Sequence, residues 1–180
     1  MIFATVGTQL PFDRLLTSLD DWASSNPKTK VIAQTGQTAA RFSALEATPF
    51  IANQQFQTLF ERAKLIVAHA GMGTIINAAE LGKQIIIVPR LSGLQEHRND
   101  HQIATAAKME RLDNVRVVHD IDRLGYVIDR ALDIADSSTG AVSNVASSQL
   151  IKAVRNFIDG ASVNSTGIAS EKIMLPRVSA

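Results

Sequence analysis

The sequence predicts a Rossmann-like α/β domain, with helices on both faces of a parallel sheet of about five or six strands. Two observations support this fold class. Short β-rich runs alternate with segments of helical periodicity along most of the 180 residues, and this alternation is typical of βαβ units. Three of the β-rich runs also lead into a turn that contains glycine. Crossovers between parallel strands are right-handed, so we expect each connection to follow that sense.

Five β-rich runs are predicted to be strands, at residues 2–6, 30–34, 65–71, 85–89 and 115–119. The run at 85–89 is apolar on both faces and is therefore predicted to lie centrally in the sheet. Helical spacing of apolar residues predicts helices at residues 12–23, 56–63, 73–83, 99–112, 121–135 and 148–158. The helix at 73–83 is predicted to end at Gly82, which suits a left-handed C-terminal cap.

The composition limits the classes of function. Eighteen Lys and Arg residues face seventeen Asp and Glu residues without a dense basic run, so nucleic-acid binding has little support. The chain has no cysteine, which excludes a disulfide framework and a thiolate zinc site. No signal peptide is recognised, and no apolar run reaches the roughly 18 residues of a membrane span. We expect a cytoplasmic domain at residues 1–159 and a flexible polar tail at residues 160–180.

The glycine turns are the candidate ligand site, because open parallel sheets bind ligands outside the carboxyl ends of their strands. Glycine allows close backbone approach and positive φ, and a helix that starts beside it offers free N–H groups to a phosphate. The turns contain Gly7 and Thr8, then Gly36, then Gly71, Met72, Gly73 and Thr74. Turn geometry alone could explain Gly7 and Gly36, whereas phosphate binding is favoured at residues 71–74. The spacing is not the dinucleotide fingerprint, which has a third glycine.

The stretch "HAGMGTIINAAELGKQIIIVPR", followed by "NDHQIATA", resembles the C-terminal, donor-binding half of glycosyltransferase family 28, which has a GT-B fold. The opening "FATVGTQLPFDRLL" is similar to small subunits of bacterial exopolysaccharide glycosyltransferases. It is also similar to the small cytosolic subunit of the two-component N-acetylglucosaminyltransferase of dolichol-linked oligosaccharide synthesis. The resemblance spans residues 1–135. It implies transfer of a sugar from a UDP-sugar to a lipid-linked acceptor with inversion, without a cofactor or a nucleotide-chelating metal.

The resemblance also implies roles for the residues of the glycine turns. Gly71, Gly73 and Thr74 stand where the family holds the diphosphate, and Gly7 and Thr8 form a loop that faces the same cleft. The negative charge that develops on the departing UDP would be met by N–H groups and a helix dipole. His69 either donates to phosphate or pins the loop, or it is an ordinary, partly buried and hydrogen-bonded histidine.

The resemblance is incomplete at the ribose. Many family members have a glutamate one helical turn after the glycine cluster, and Asn77 takes that place here. Glu80 lies three residues further along, on the same helix face, and is our choice for the ribose hydroxyls. The alternative is that Glu80 is a surface residue or belongs to a structural ion pair.

A second polar run matches the family's hexose contacts. Asp100, His101 and Gln102 stand at the start of the predicted helix after the fourth strand. Asn99 or Asp100 could instead cap that helix. Glu96, His97 and Arg98 precede the run and are predicted to be exposed loop residues of little functional weight.

The resemblance implies a partner, because a GT-B enzyme has two halves and the sequence shows one. No residue stands out as a general base, so the catalytic residues are unknown. The expected partner is a membrane-anchored glycosyltransferase subunit that supplies the acceptor half and recruits this chain to the inner face of the membrane. The helix at residues 148–158 packs on its own sheet or contributes to docking. The alternative functions are a non-catalytic activating subunit and an oxidoreductase fragment, and the missing dinucleotide fingerprint counts against the second.

Overall fold

The computed structural model of the chain describes residues 1–137. The predicted helix at residues 148–158 and the predicted tail at 160–180 lie outside the described residues. Within residues 1–137, no helix has both the length and the apolar character needed to cross a membrane.

A six-stranded, entirely parallel sheet forms the centre of the domain, with the strand order β3-β2-β1-β4-β5-β6. The predicted parallel α/β fold is therefore confirmed. The pair at the centre is β1 and β4, in which Ala4 lies opposite Val67. The strands are β1 (Ile2–Thr5), β2 (Val31–Gln34), β3 (Glu46–Thr48), β4 (Leu65–His69), β5 (Ile85–Val88) and β6 (Val115–Val117).

Within residues 1–137, five α-helices connect or follow the strands. They are α1 (Asp13–Ser25), α2 (Asn53–Arg62), α3 (Met72–Glu80), α4 (His101–Met109) and α5 (Leu124–Ser137). Two single 3₁₀ turns, Ser92–Leu94 and Ile121–Arg123, precede α4 and α5. The α3 helix ends as predicted, with Gly82 in the left-handed region at φ 60°.

Two hydrophobic clusters lie on opposite faces of the sheet. Alternation along β1 sends Ile2 and Ala4 into one cluster and Phe3 into the other. The Ile2 side is covered by α1 and α5, and the Phe3 side is covered by α2, α3 and α4. On the Phe3 side the rings of Phe3, Phe56 and Phe60 pack together, and Phe3 meets the other two edge-on at 5.1 and 6.1 Å. Every residue of β1 and β5 is buried, because helices cover both faces.

One strand was not predicted. β3 has only three residues, Glu-Ala-Thr, and all three are exposed at the edge of the sheet. Its backbone pairs with β2, and Glu46 forms an exposed ion pair at 2.8 Å with Lys30, the residue before that strand. A run this short and polar has no alternating pattern to detect, so backbone pairing alone makes it a strand. The predicted central run at residues 85–89 forms β5, an interior strand between β4 and β6.

The α3 helix provides two glycines for a matched stability test. The N–H groups of Gly82 and Lys83 donate to the carbonyls of Ala79 and Ala78 at 3.1 and 2.8 Å, which is the Schellman arrangement. We expect Gly82→Ala to lower the free energy of unfolding by about 1 kcal/mol, because a Cβ disfavours positive φ. A Cβ on Gly73 meets no atom within 4 Å, so Gly73→Ala should leave stability unchanged or raise it. Urea denaturation measures both, and equal losses would contradict this account of the cap.

Candidate functional site

A cleft of about 770 Å³ lies at the carboxyl edge of the sheet. The loops that follow β1, β4 and β5 form its walls together with the first turn of α4. The residues that line it are Val6, Gly7, Thr8, Gln9, Leu10, His69, Gly71, Arg90, His97, Arg98, His101 and Gln102. The sequence prediction that a ligand site lies at this edge therefore coincides with a real concavity.

The lining of the cleft is rich in arginine and histidine side chains. Two guanidinium groups, of Arg90 and Arg98, and three imidazoles, of His69, His97 and His101, line it. No Asp or Glu is among the described residues of the lining. Within residues 1–137, no group of three or more His, Asp or Glu side chains is placed to hold a metal ion. The lining therefore favours an anionic ligand.

His69 ends β4, and its ring occupies the space between two of the glycine turns. A Cβ on Gly71 would lie 2.2 Å from Nε2 of His69, and a Cβ on Gly7 would lie 2.9 Å from Cε1. Both distances are shorter than real contacts. Gly7 also has a positive φ of 76°. These two glycines are therefore required by the imidazole itself, whatever ligand the cleft holds.

The imidazole of His69 is neutral at pH 7. Burial, together with the nearby Arg90 and His97, lowers its pKa to about 4, against the opposing effect of the Thr5 backbone. Its Nδ1 is buried without a hydrogen-bond partner among the described residues. A neutral imidazole donates from one nitrogen and accepts at the other. His69 is thus partly buried, as expected for an ordinary structural histidine. Its Nδ1 lacks the hydrogen bond that an ordinary structural histidine would make.

The start of α3 lies beside the cleft. Gly71 is the N-cap residue, and no side chain caps the helix. The first N–H groups of a helix have no partner within it and attract anions. Met72, Gly73 and Thr74 form this first turn; Gly73 is exposed, and none of the three lines the cleft. Only Gly71 of the predicted phosphate cluster reaches the cleft wall.

Gly36 is placed by turn geometry. Its φ is 62°, its N–H donates to the Pro49 carbonyl at 3.0 Å, and it is not part of the lining. A Cβ there would stand 3.5 Å from the Gly7 carbonyl oxygen, so Gly36 packs against the loop that forms the cleft wall. A direct donor contact at Gly36 stays a prediction.

Sequence reasoning missed a buried ionic network beneath the cleft. The Arg90 side chain is 2% exposed, and Glu96, predicted to be an exposed loop residue, is 7% exposed. Glu96 accepts two hydrogen bonds from Arg14, at 2.7 and 2.8 Å, so the predicted exposure of Glu96 was wrong. The position of Arg90 in the sequence could have indicated this network, because Arg90 follows a fully buried strand and Pro89. A charged side chain that is buried at such a place needs partners of opposite charge or hydrogen-bond acceptors.

The structure places the three residues that are predicted to contact the hexose in different surroundings. Gln102 is buried and lines the cleft, and its Oε1 accepts from the Arg90 backbone N–H at 3.1 Å. His101 is at the rim, where its ring meets that of His97 edge-on at 4.4 Å. Asp100 occupies the N-cap position without capping; it accepts from the Ser92 backbone N–H at 2.8 Å, and that bond lowers its pKa. Asn99 instead accepts from the His101 backbone N–H.

The two ribose candidates are on α3 and do not line the cleft. The side-chain amide of Asn77 exchanges two long hydrogen bonds of 3.4 Å with the amide of Gln57 on α2. Glu80 is exposed at the last residue of the helix. Asn77 therefore already has a partner within the fold, whereas the carboxylate of Glu80 faces solvent. Contact of either residue with ribose stays a prediction.

The model of the glycosyltransferase family 28 C-terminal domain matches residues 1–158 of the chain. The chain belongs to this family. The family fold was predicted as one Rossmann-like half of a GT-B architecture, and the parallel six-stranded sheet with helices on both faces confirms it.

Individual relatives agree with the family. One is a UDP-N-acetylglucosamine--N-acetylmuramyl-(pentapeptide) pyrophosphoryl-undecaprenol N-acetylglucosamine transferase of Solibacter usitatus, 33% identical over 56% of this chain and 25% of that protein. Another is the UDP-N-acetylglucosamine transferase subunit ALG13 of Yarrowia lipolytica, 22% identical over 71% of this chain and 69% of that protein. The chain thus spans about a quarter of the first relative and about two thirds of the second.

A solved structure supports the fold. The crystal structure of the glycotransferase of kitacinnamycin superimposes with a TM-score of 0.58 at 19% identity. The match covers 91% of this chain and 42% of that protein. The family 28 domain thus corresponds to less than half of that transferase.

His69 makes the stability of this family 28 domain depend on pH. Its pKa is about 4 in the folded chain and about 6.5 when unfolded, so between these values the unfolded chain binds more protons. The contribution of neutral His69 to the free energy of unfolding is therefore fully present above about pH 6.5 and is lost as the pH falls toward 4. The full shift corresponds to at most about 3 kcal/mol. Urea denaturation at pH 7 and pH 4.5 measures this loss.

Two histidine variants separate this contribution from general acid denaturation. His69→Gln should lose clearly less stability between the two pH values, because the imidazole with the lowered pKa is gone. His119→Gln is the control, since His119 is exposed after β6 and should keep the wild-type loss. If both variants lose as much stability as wild type, His69 does not set this pH dependence.

Proposed function

We propose that this chain is the donor-binding subunit of an inverting glycosyltransferase that moves a sugar from a UDP-sugar to a lipid-linked acceptor. The observation that carries the proposal is the cleft at the carboxyl edge of the sheet. Guanidinium and imidazole groups line it without an acidic side chain among the described residues, and α3 begins at its wall with Gly71. This combination suits a diphosphate bound to an uncharged nucleoside and sugar.

Sugar transfer needs hydrogen-bond donors that stabilise the departing diphosphate, and the cleft contains such donors. As the bond from the sugar to the β-phosphate breaks, negative charge grows on the departing UDP, and groups that are already oriented stabilise it best. In this proposal the N–H groups at the start of α3, the guanidinium of Arg98 and the neutral imidazole of His69 would be the donors to the departing UDP. Gly7 and Thr8 would close the site from the β1 side, and Gln102 and Asp100 would contact the hexose.

A second subunit is part of the proposal. The Yarrowia relative is named as a transferase subunit, and this chain covers only 42% of the solved transferase it resembles. A membrane-anchored glycosyltransferase subunit would supply the acceptor half, hold the lipid-linked acceptor and recruit this chain to the cytoplasmic face of the membrane. The pathway class is polysaccharide or glycolipid synthesis, with bacterial exopolysaccharide favoured by the opening sequence.

One observation favours a second candidate, a non-catalytic activating subunit. Asn77 replaces the glutamate that many family members place near the ribose, and its amide is engaged by Gln57. An activator would tolerate a damaged donor site. Reconstitution with the membrane subunit separates the candidates, because a donor-site variant of a true donor subunit should abolish sugar transfer whereas an activator should keep it.

UDP binding by the chain alone is the direct test of the donor site. We expect weak binding, since half of a GT-B cleft buries only part of the nucleotide, with NMR shift changes at residues 7–10, 69–74 and 97–102. Gly73→Ala should weaken UDP binding by about tenfold, because the added methyl group would lie where we expect the phosphate. The methyl group would meet no atom of the protein within 4 Å, so the fold itself should tolerate this substitution. No shift change at millimolar UDP, or changes confined to the amino edge of the sheet, would contradict the proposal.

The ribose contact has its own test. Glu80→Gln should weaken UDP binding by about tenfold or more, since hydrogen bonds to a charged acceptor are worth about 1.5–3 kcal/mol. Asn77→Ala should change affinity little, because the Asn77 amide is paired with Gln57. Titration calorimetry on proteins with matched melting temperatures measures both. The reverse result, unchanged affinity for Glu80→Gln and a large loss for Asn77→Ala, would assign the ribose to Asn77.

A further inference from the structure

The guanidinium of Arg90 joins two loops of the cleft that are far apart in the sequence. One terminal nitrogen donates to the carbonyls of Pro11 at 2.7 Å and of Glu96 at 3.0 Å. The other donates to the carbonyl of Val6 at 2.7 Å. The first loop, residues 6–11, follows β1, and the second loop, residues 91–98, follows β5. A single side chain thus binds both ends of the first loop and the second loop near its end, at Glu96.

A second arginine completes the connection. Arg14, on α1, donates to both carboxylate oxygens of Glu96 and to the Pro89 carbonyl at 3.0 Å. Glu96 also accepts from the Leu91 backbone N–H at 2.9 Å, which closes the second loop on itself. The Phe12 ring lies near both guanidinium groups, 4.6 Å from that of Arg90 and 5.3 Å from that of Arg14.

The two loops that this network ties together carry most of the cleft wall. The first presents Gly7, Thr8, Gln9 and Leu10, and the second presents His97 and Arg98. Thr8, Gln9 and Leu10 are exposed, as is Arg98, so their own contacts do not fix the width of the cleft. Arg90 and Glu96 are buried beneath them. The distance between the two walls therefore depends on hydrogen bonds made from below.

We propose that Arg90, supported by Glu96 and Arg14, is a positioning residue that sets the spacing of the loops at residues 6–11 and 91–98 for the donor diphosphate. This inference rests on the proposed function. Arg90 lines the cleft, but both of its terminal nitrogens already donate to backbone carbonyls, so we assign it to the loops rather than to the phosphates. Its role is to hold Gly7, Thr8 and Arg98 where they meet the phosphates.

The chemistry of arginine suits this role in two ways. The planar guanidinium directs several N–H donors at fixed angles, which a lysine ammonium cannot reproduce. The network also has an unbalanced charge, since two guanidinium groups face the single carboxylate of Glu96. One net positive charge is left beneath the cleft floor, where screening by water is weak. It therefore attracts the diphosphate in addition to ordering the loops.

The experiment compares four variants of the full chain: Arg90→Lys, Arg90→Met, Arg14→Met and Arg116→Met. Arg116 is the matched control, because it too donates to backbone carbonyls, those of Asp113 and Val115, but at the amino end of β6. Hydrogen exchange is measured without ligand, and UDP affinity is measured on variants that remain folded. The two readouts separate loop positioning from the donor site as such.

We expect Arg90→Met to speed exchange at residues 7–10 and at residues 93–98 together, while the amides of β1 and β4 stay protected. UDP affinity should fall by about tenfold or more for Arg90→Met and by less for Arg14→Met. Arg90→Lys should keep the charge but recover only part of the affinity. Arg116→Met should match wild type in both measurements.

Three results would overturn the inference. Folded Arg90→Met that binds UDP as tightly as wild type removes the positioning role and leaves the proposed function intact. Faster exchange in only one loop, or equally across the whole sheet, shows a local or purely structural role. A wild-type chain that binds no UDP contradicts the proposed function, and the donor role of this network fails with it.

Discussion

Burial of a parallel sheet on both faces is the constraint on which the rest of this structure depends. β1 and β5 are buried along their whole length, and this requires helices on each side, because a parallel sheet has no face suited to water. Crossovers between parallel strands, all helical except the one from β2 to β3, bring every strand back in the same direction. All the carboxyl ends consequently meet at one edge, and the loops that follow β1, β4 and β5 converge there on the cleft.

Space at that edge is set by an imidazole. His69 ends the central strand β4, and its ring takes the place that side chains at positions 7 and 71 would otherwise fill. The glycine motif of this family 28 domain is thus explained at two positions by packing within the protein. Gly73 differs, since its would-be Cβ points into open space. Packing within the protein therefore does not explain Gly73, and its contact with a phosphate stays a prediction.

A network of buried charges, Arg90 and Glu96 with Arg14, lies beneath the cleft. Burial lowers the pKa of the Arg90 guanidinium, and Glu96 acts in the opposite direction, but an arginine stays protonated in either case. Replacing such a charge leaves backbone carbonyls without donors, which costs more than the hydrogen bonds contribute in place. The network thus holds backbone carbonyls of both loops, and its removal would leave them without donors.

The sequence by itself determined the parallel α/β class, the order of its helices, the cap at Gly82 and the edge of the sheet at which the site lies, because these follow from local periodicity and glycine placement. It also identified the chain's family, from residues 69–90 and 99–106 together with the opening residues 3–16. Only the tertiary structure decided that β3 is a strand, that Glu96 is buried, and that Arg90 joins two loops. Each of these depends on partners distant in sequence, such as Arg14 for Glu96 or Val6 for Arg90, and a pattern read along one segment contains no information about which groups the fold brings against it.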